Sequence, residues 1–185
     1  MAQFTLKNVK INFPSLFEKA VFPGNDPSTG KYEVTVIIKK GSENEKLMFK
    51  HLDDPDRPAK ISFDRAKLLL KDGDDPRDNK SEFEYYKGHW FFKLSSKKRP
   101  VTVNQSNSIV TAEDGDHPNG IFYSGAVCNV IGSIWWQNND FGQHARANLL
   151  GIQMVDDNTD SFAGAGESID AATAFEDLGE LPKGW

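Results

Sequence analysis

The chain has 185 residues, 38% of them hydrophobic, and carries 22 Lys and Arg against 27 Asp and Glu. That length suits a single domain with a real core, and the lone Cys128 excludes an internal disulfide framework and the multi-cysteine zinc sites. No stretch reaches the ~20 apolar residues of a membrane span, and none near Met1 has the apolar run of a signal peptide, so a soluble intracellular protein with no membrane partner is expected.

In chain order, Phe4–Phe13 alternates with a change of face near Asn8 and predicts a strand with a basic outer side. Pro14 and the cluster Pro23-Gly24-Asn25-Asp26-Pro27 predict a long loop. Tyr32–Lys40 is β-branched and alternating, a second strand ended by Gly41. Ser42 with Glu45 forms a capping box before Leu47, Met48 and Leu52, so a short helix follows. Between Asp53 and Lys80 the pattern weakens, broken by Pro55, Pro58 and Pro76 and crowded with acids. Gly88–Ser95 is again a strand, and Lys97-Lys98-Arg99-Pro100 succeeds it. Phe122–Gln137 predicts a long strand with Gly125 and Gly132 as bend positions. A turn at Asn138–Gly142 then leads to a last strand, Ala145–Val155. Five principal strands, one short helix and long polar loops fit a small, closed, strongly bent antiparallel barrel.

Charge is unevenly spread. Asp156–Trp185 holds eight of the 27 acids and one of the 22 bases, which leaves 21 bases and 19 acids in residues 1–155. The expected division is thus a near-neutral folded body over 1–155 and an acidic, flexible arm over 156–185. Such an arm either aids solubility or competes internally with a polyanionic partner, and charge alone does not separate the two.

Tests for catalytic chemistry find little. The chain has no G-x-x-x-x-G-K-[ST] phosphate loop, no strand-bounded G-x-G-x-x-G and no G-x-S-x-G elbow. The four histidines, His51, His89, His117 and His144, stand far apart. Asp72-Gly73-Asp74-Asp75-Pro76-Arg77-Asp78 fails as a calcium loop, with Arg77 where glycine and Phe83 where glutamate are required. A two-metal nuclease would need these acids on ordered strands, whereas they read as an exposed turn. No catalytic residue, metal or cofactor is therefore expected, and a nuclease built on Asp72, Asp74, Asp75 and Asp78 stays as a rival.

The aromatic and basic residues say more. In Gly88–Ser95, Trp90, Phe92 and Leu94 share one face, while Phe91 and Lys93 share the other with His89. A small barrel buries one face only, so Phe91 is expected outside, beside Lys93 and near Lys97, Lys98 and Arg99. A flat ring with cations along its flank suits an unpaired base and its phosphates, and stacking contributes ~1–3 kcal/mol per base. Trp135 and Trp136 are adjacent and must point to opposite faces; both faces carry apolar residues, so which one is exposed stays open. Phe141 at the hairpin tip, Arg146 beyond it and Tyr32 on the second strand are further candidate contacts.

Asn8-Val9-Lys10-Ile11-Asn12-Phe13-Pro14-Ser15-Leu16-Phe17 and Lys31–Lys40 resemble the N-terminal signature of bacteriophage single-stranded DNA-binding proteins. Leu70–Asp74, Lys87–Lys93, Ser96–Pro100, Phe122-Tyr123-Ser124-Gly125 and Leu149–Gln153 agree in order, so the resemblance runs from Asn8 to Asp157. It implies an all-β OB-fold, a five-stranded Greek-key barrel, that protects unpaired DNA during phage replication and recombination in the cytoplasm of the infected bacterium. On that reading Lys93, Lys97, Lys98, Arg99 and Arg146 contact phosphates. Phe91, one of Trp135 and Trp136, and Tyr32 or Phe141 stack on bases. The resemblance also implies a tail that competes for the groove and docks phage or host replication proteins, here through Asp170, Phe175, Glu176, Asp177 and the terminal Trp185. A homodimer is left open. The tail departs from the pattern by its sparser acids, by Lys183, and by Ala171, Ala172 and Ala174, which suit a short helix. A scaffold or virion module with its aromatics buried between subunits is the second rival.

Overall fold

The strands of this chain alternate apolar and polar residues, and an alternating strand buries one side only. In the computed structural model, which describes residues 3–111 and 122–162, that alternation is resolved by closing the sheet on itself. The strands are β1 (Gln3–Ala20), β2 (Lys31–Lys39), β3 (Lys71–Asp72), β4 (His89–Ser96), β5 (Val101–Val103), β6 (Val127–Asn139) and β7 (Gly142–Asp156). Their order is β3-β4-β2-β1-β6-β7-β5, and a parallel pairing of β4 with β7 at Ser95 and Asn148 closes the ring. Strands β1, β2, β4, β7 and β6 thus form a five-stranded barrel, with β3 and β5 as short additions. This is the OB-fold connectivity.

The inward face reads off the alternation. Phe4, Leu6, Val9 and Ile11 of β1 are buried, as are Val34, Val36 and Ile38 of β2, Phe92 and Leu94 of β4, and Cys128 and Val130 of β6. The expected change of face near Asn8 is present: the β1–β6 register shifts between Leu6 and Val9, and Asn8 takes φ 55°, a region that asparagine tolerates better than most residues. At Gly132 an added Cβ would lie 2.6 Å from Leu94 Cδ2 and 2.7 Å from the Phe4 ring. Only glycine lets the bent β6 approach the core there.

Ser42 caps the helix as its box predicts, its Oγ accepting from the Glu45 N–H at 3.3 Å. The helix α1 (Glu43–Leu52) buries Met48 and Leu52 beneath the barrel, and Trp90 Nε1 donates to Glu45 Oε2 at 2.6 Å, tying the two together. A second short helix, α2 (Phe63–Ala66), and a 3₁₀ turn over Lys67–Leu69 add to the single helix expected.

Two further expectations change. Pro14 does not end the first strand: β1 continues to Ala20, with register breaks between Asn12 and Ser15 and between Ser15 and Ala20. A proline, lacking its N–H, is tolerated where the ladder is already interrupted. The packed chain also runs past Val155 to Phe162. There Tyr123 Oη donates to the Thr159 carbonyl (2.8 Å), Thr159 Oγ1 to the Gly125 carbonyl (2.7 Å), and Phe162 N to the Ser124 carbonyl (2.9 Å).

Candidate nucleic-acid interface

The outward side of β4 forms the floor of a groove of about 680 Å³. Phe91, Lys93 and Ser95 project there because Phe92 and Leu94 are committed to the core. One wall comes from the α2 region, with Arg65, Leu68 and Leu69, and from Lys71 of β3. The other comes from the β6–β7 hairpin, with Trp135, Gln137, Asn139, His144 and Arg146. Lys31, at the start of β2, completes the lining. Five cations, Lys31, Arg65, Lys71, Lys93 and Arg146, line the groove, and among the described residues no carboxylate does.

The cations are placed by specific contacts. Arg65 Nε donates to the Gln143 carbonyl (2.7 Å), pinning the α2 wall to the hairpin. Arg146 stands opposite Trp135 in the β6–β7 ladder, and its Nε donates to Gln137 Oε1 at 2.9 Å. Lys93 is partly compensated by Glu33, 3.2 Å away. The field registers on His144, whose pKa is held below the ordinary imidazole value by burial first, then by Arg146, Arg65 and Lys71.

Of the residues expected from sequence, the groove brings together Phe91, Lys93, Trp135 and Arg146. Phe91 lies on the outward side as expected, yet it is not a bare platform: Tyr86 stacks on it with centroids 4.1 Å apart and planes 10° off parallel. Trp135 lines the groove while Trp136 packs against the core. The inward set is Cys128, Val130 and Ile134, whereas Ile131, in step with Trp135, is 40% exposed.

The other expected residues lie elsewhere. Tyr32 is in step with the buried Val34 and Val36, and Lys19 sits over its ring at 5.9 Å. Lys97 and Lys98 are exposed just beyond the end of β4. The Arg99 guanidinium covers the Phe17 ring at 5.0 Å. Phe141 stands at the hairpin tip, 90% exposed and outside the groove lining. The tail residues Asp170, Phe175, Glu176, Asp177 and Trp185 lie outside the described residues. Sequence reasoning missed Lys31, Arg65 and Lys71, which come from three separate elements; only their positive charge could have marked them.

The acidic run is a self-contained turn. Lys40 Nζ lies 2.6 Å from Asp72 Oδ1 and 2.8 Å from Asp74 Oδ2. Asp78 accepts from the Asp72 N–H at 2.8 Å, and Asp74 accepts from the Gly88 N–H at 2.9 Å. Arg77 beside Asp75 draws that carboxyl down to about 2. These oxygens bind their own backbone and neighbouring cations, and among the described residues no His, Cys, Asp or Glu cluster has the geometry to hold a metal.

Residues 2–181 match the profile of the family described as Enterobacter phage Enc34, ssDNA-binding protein. The chain belongs to this bacteriophage single-stranded DNA-binding protein family. A relative, putative protein p50 of Acyrthosiphon pisum secondary endosymbiont phage 1, is 29% identical over 185 residues, covering 94% of this chain and 92% of p50. The fold recurs in the bacteriophage Enc34 single-stranded DNA-binding protein solved in complex with ssDNA, with a TM-score of 0.63 and 21% identity over 86% of this chain and 89% of that one. It recurs again in gp2.5, a single-stranded DNA-binding protein encoded by bacteriophage T7 (TM-score 0.53, 16% identity, 91% of this chain and 99% of that one). These two likenesses show the OB-fold, and the family assignment rests on the profile match along nearly the whole chain.

Proposed function

We propose that this chain is a non-enzymatic, sequence-tolerant single-stranded DNA-binding protein that covers unpaired phage DNA in the host cytoplasm during replication and recombination. The observation that carries the reading is the groove itself: five cations and, among the described residues, no carboxylate, beside the Trp135 indole, in a protein whose net charge is −5. A uniformly charged surface would not give that contrast, and local clustering supplies the field that net charge lacks. Trp135 and the face of Phe91 that Tyr86 leaves uncovered offer π-faces to any base, while Lys31, Lys71, Lys93, Arg65 and Arg146 track the phosphates. Lys97 and Lys98 continue the cationic path past the end of β4. Phe141 reaches out from the hairpin that forms the groove wall, where an OB-fold presents one of its nucleic-acid loops.

The tail acts on this groove and on partners. Beyond Phe162 the chain holds five acids, Glu167, Asp170, Glu176, Asp177 and Glu180, and one base, Lys183. It competes with DNA for the cations and presents Phe175 and Trp185 to phage or host replication proteins. The discriminating experiment is a titration with oligo-dT and with duplex of equal length, in magnesium, with the strands examined afterwards. Tight, salt-sensitive binding of intact oligo-dT is expected. Cleavage would favour a nuclease, and no binding would favour a scaffold role.

A further inference from the structure

Two motifs of the sequence take no part in the groove: Asn12-Phe13-Pro14 and Tyr123-Ser124-Gly125. Both lead to one place. A second pocket, of about 420 Å³, opens on the other side of Phe91, between Phe13, Phe83, Tyr86 and Phe162. Phe91 lines both it and the groove, so one ring is a wall of each.

Phe13 is the unusual residue. The residue is 68% exposed and lines the pocket, and its backbone sits at φ 49°, a region that bulky residues avoid. A strained backbone that turns a phenyl ring to solvent has no stabilising role in the core, and such conformations collect at ligand sites. The conformation is held from both sides: the Phe13 N–H is within 3.0 Å of Asn12 Oδ1 and of Ser124 Oγ. The buried Asn12 also donates from Nδ2 to Tyr86 Oη at 2.9 Å, fixing the far wall.

The near wall is built as deliberately. Phe162 lies on Tyr85 with centroids 4.3 Å apart and meets Phe83 edge-on at 5.4 Å. An added Cβ at Gly125, which has φ +106°, would stand 2.4 Å from the Asp160 carbonyl. Glycine is what admits this segment. Lys10 Nζ hangs over Tyr85 and Phe162 at 5.4 and 5.8 Å, and Lys80 stands among the lining residues. The one lining carboxylate among the described residues, Asp78, accepts from the Asp72 N–H. Burial raises the Tyr86 pKa, partly offset by the Asn12 hydrogen bond, so its hydroxyl stays protonated and able to donate to a base edge.

We propose that this pocket is a second base-binding site, which receives an unpaired nucleobase of the strand already held in the groove and stacks it on Phe13. The proposal rests on the single-stranded DNA reading above. Aromatic walls, adjacent cations and a ring shared with the groove fit a nucleobase better than an apolar peptide side chain, which needs neither Lys10 nor Lys80 nearby.

The test is a length series of oligo-dT, from about 4 to about 16 nucleotides, the span of OB-fold site sizes, titrated against full-length wild type, Phe13→Ala, Phe13→Trp and Trp135→Ala. The exposed Phe13 ring can be removed without opening the core, and thermal melting of each variant checks that it folds. Phe13→Ala is expected to bind the shortest oligonucleotides like wild type and to lose on the order of tenfold in affinity for the longest. Phe13→Trp, which keeps a π-face, restores it. Trp135→Ala weakens binding at every length. Loss with Trp135→Ala but none with Phe13→Ala at any length overturns the pocket and leaves the groove standing. An equal loss with Phe13→Ala at all lengths also overturns it, since Phe13 would then act on the groove. No effect of either variant overturns both the pocket and the groove as the site, whereas failure of wild type to bind oligo-dT overturns the single-stranded DNA reading itself.

Discussion

Neutralising Lys71 should change the salt dependence of single-stranded DNA binding by a calculable amount. Each phosphate contact by a cation releases counterions, and for single strands the slope of log K against log salt is about −0.7 per contact. Five groove cations therefore give a slope of about −3.5, which corresponds to roughly a hundredfold loss of affinity between about 50 and about 200 mM salt. Lys71→Gln should bring the slope to about −2.8 and the loss to roughly fiftyfold. Lys93→Gln should move it less, because Glu33 already lies 3.2 Å from that ammonium. Fluorescence titration of oligo-dT at four or five salt concentrations reads the slope directly. A wild-type slope near zero, or one that Lys71→Gln, Arg65→Gln and Arg146→Gln all leave unchanged, would refute the placement of the phosphate path in this groove.

Other outcomes follow from the same geometry. His144 is held below its ordinary pKa by burial and by Arg146, Arg65 and Lys71; phosphates in the groove would offset those cations and raise it. Binding should therefore take up a proton, and affinity should rise as pH falls from about 8 to about 5.5, an increment that His144→Gln removes; a flat profile in wild type would speak against it. In the unliganded protein the sign reverses, since the unfolded chain binds that proton more readily and stability drops as pH falls below about 6.5, the ordinary imidazole value. Truncation after Phe162 should tighten DNA binding at low salt, whereas truncation from Asp156 also removes the Phe162 side chain from its aromatic seat and should cost about 3 kcal/mol in a urea melt. Binding no tighter after the first truncation would remove the tail from the competitor role. Cys128 is buried, and that burial pushes its thiol up to about 12. A disulfide reagent should accordingly label it only at the rate of unfolding, and rapid labelling of the native protein would contradict the closed barrel.

How much of this was legible in the sequence depends on the distance over which each feature is decided. The inward face of each strand is a local property, so Val34, Val36, Phe92 and Leu94 could be placed by alternation alone. The face change at Asn8 and the cap at Ser42 were equally local. Pro14 misled because its effect depends on whether the partner strand needs an N–H there, and the ladder skips that position. Trp135 and Trp136 could not be told apart because both parities of β6 carry apolar residues; the barrel chose by burying Cys128, Val130 and Ile134. The cations were hardest. Arg65 comes from the stretch with the weakest pattern, and only the long-range contact of α2 with the Gln143 carbonyl of β7 brings it into the groove with Arg146. Tyr86, which covers one face of Phe91, arrives from a turn with no strand or helix signal of its own.

The central claim, that an unpaired base stacks on Trp135 in a cationic groove, is tested most directly by tryptophan emission. Oligo-dT is titrated into wild type and into Trp135→Phe at low salt and again at high salt. Substantial quenching is expected in wild type, reversed by salt. In Trp135→Phe most of that quenching should vanish while affinity, read by anisotropy of a labelled strand, falls only a few-fold, because a phenyl ring still stacks. Undiminished quenching in Trp135→Phe, or binding that leaves wild-type emission unchanged, would contradict the account.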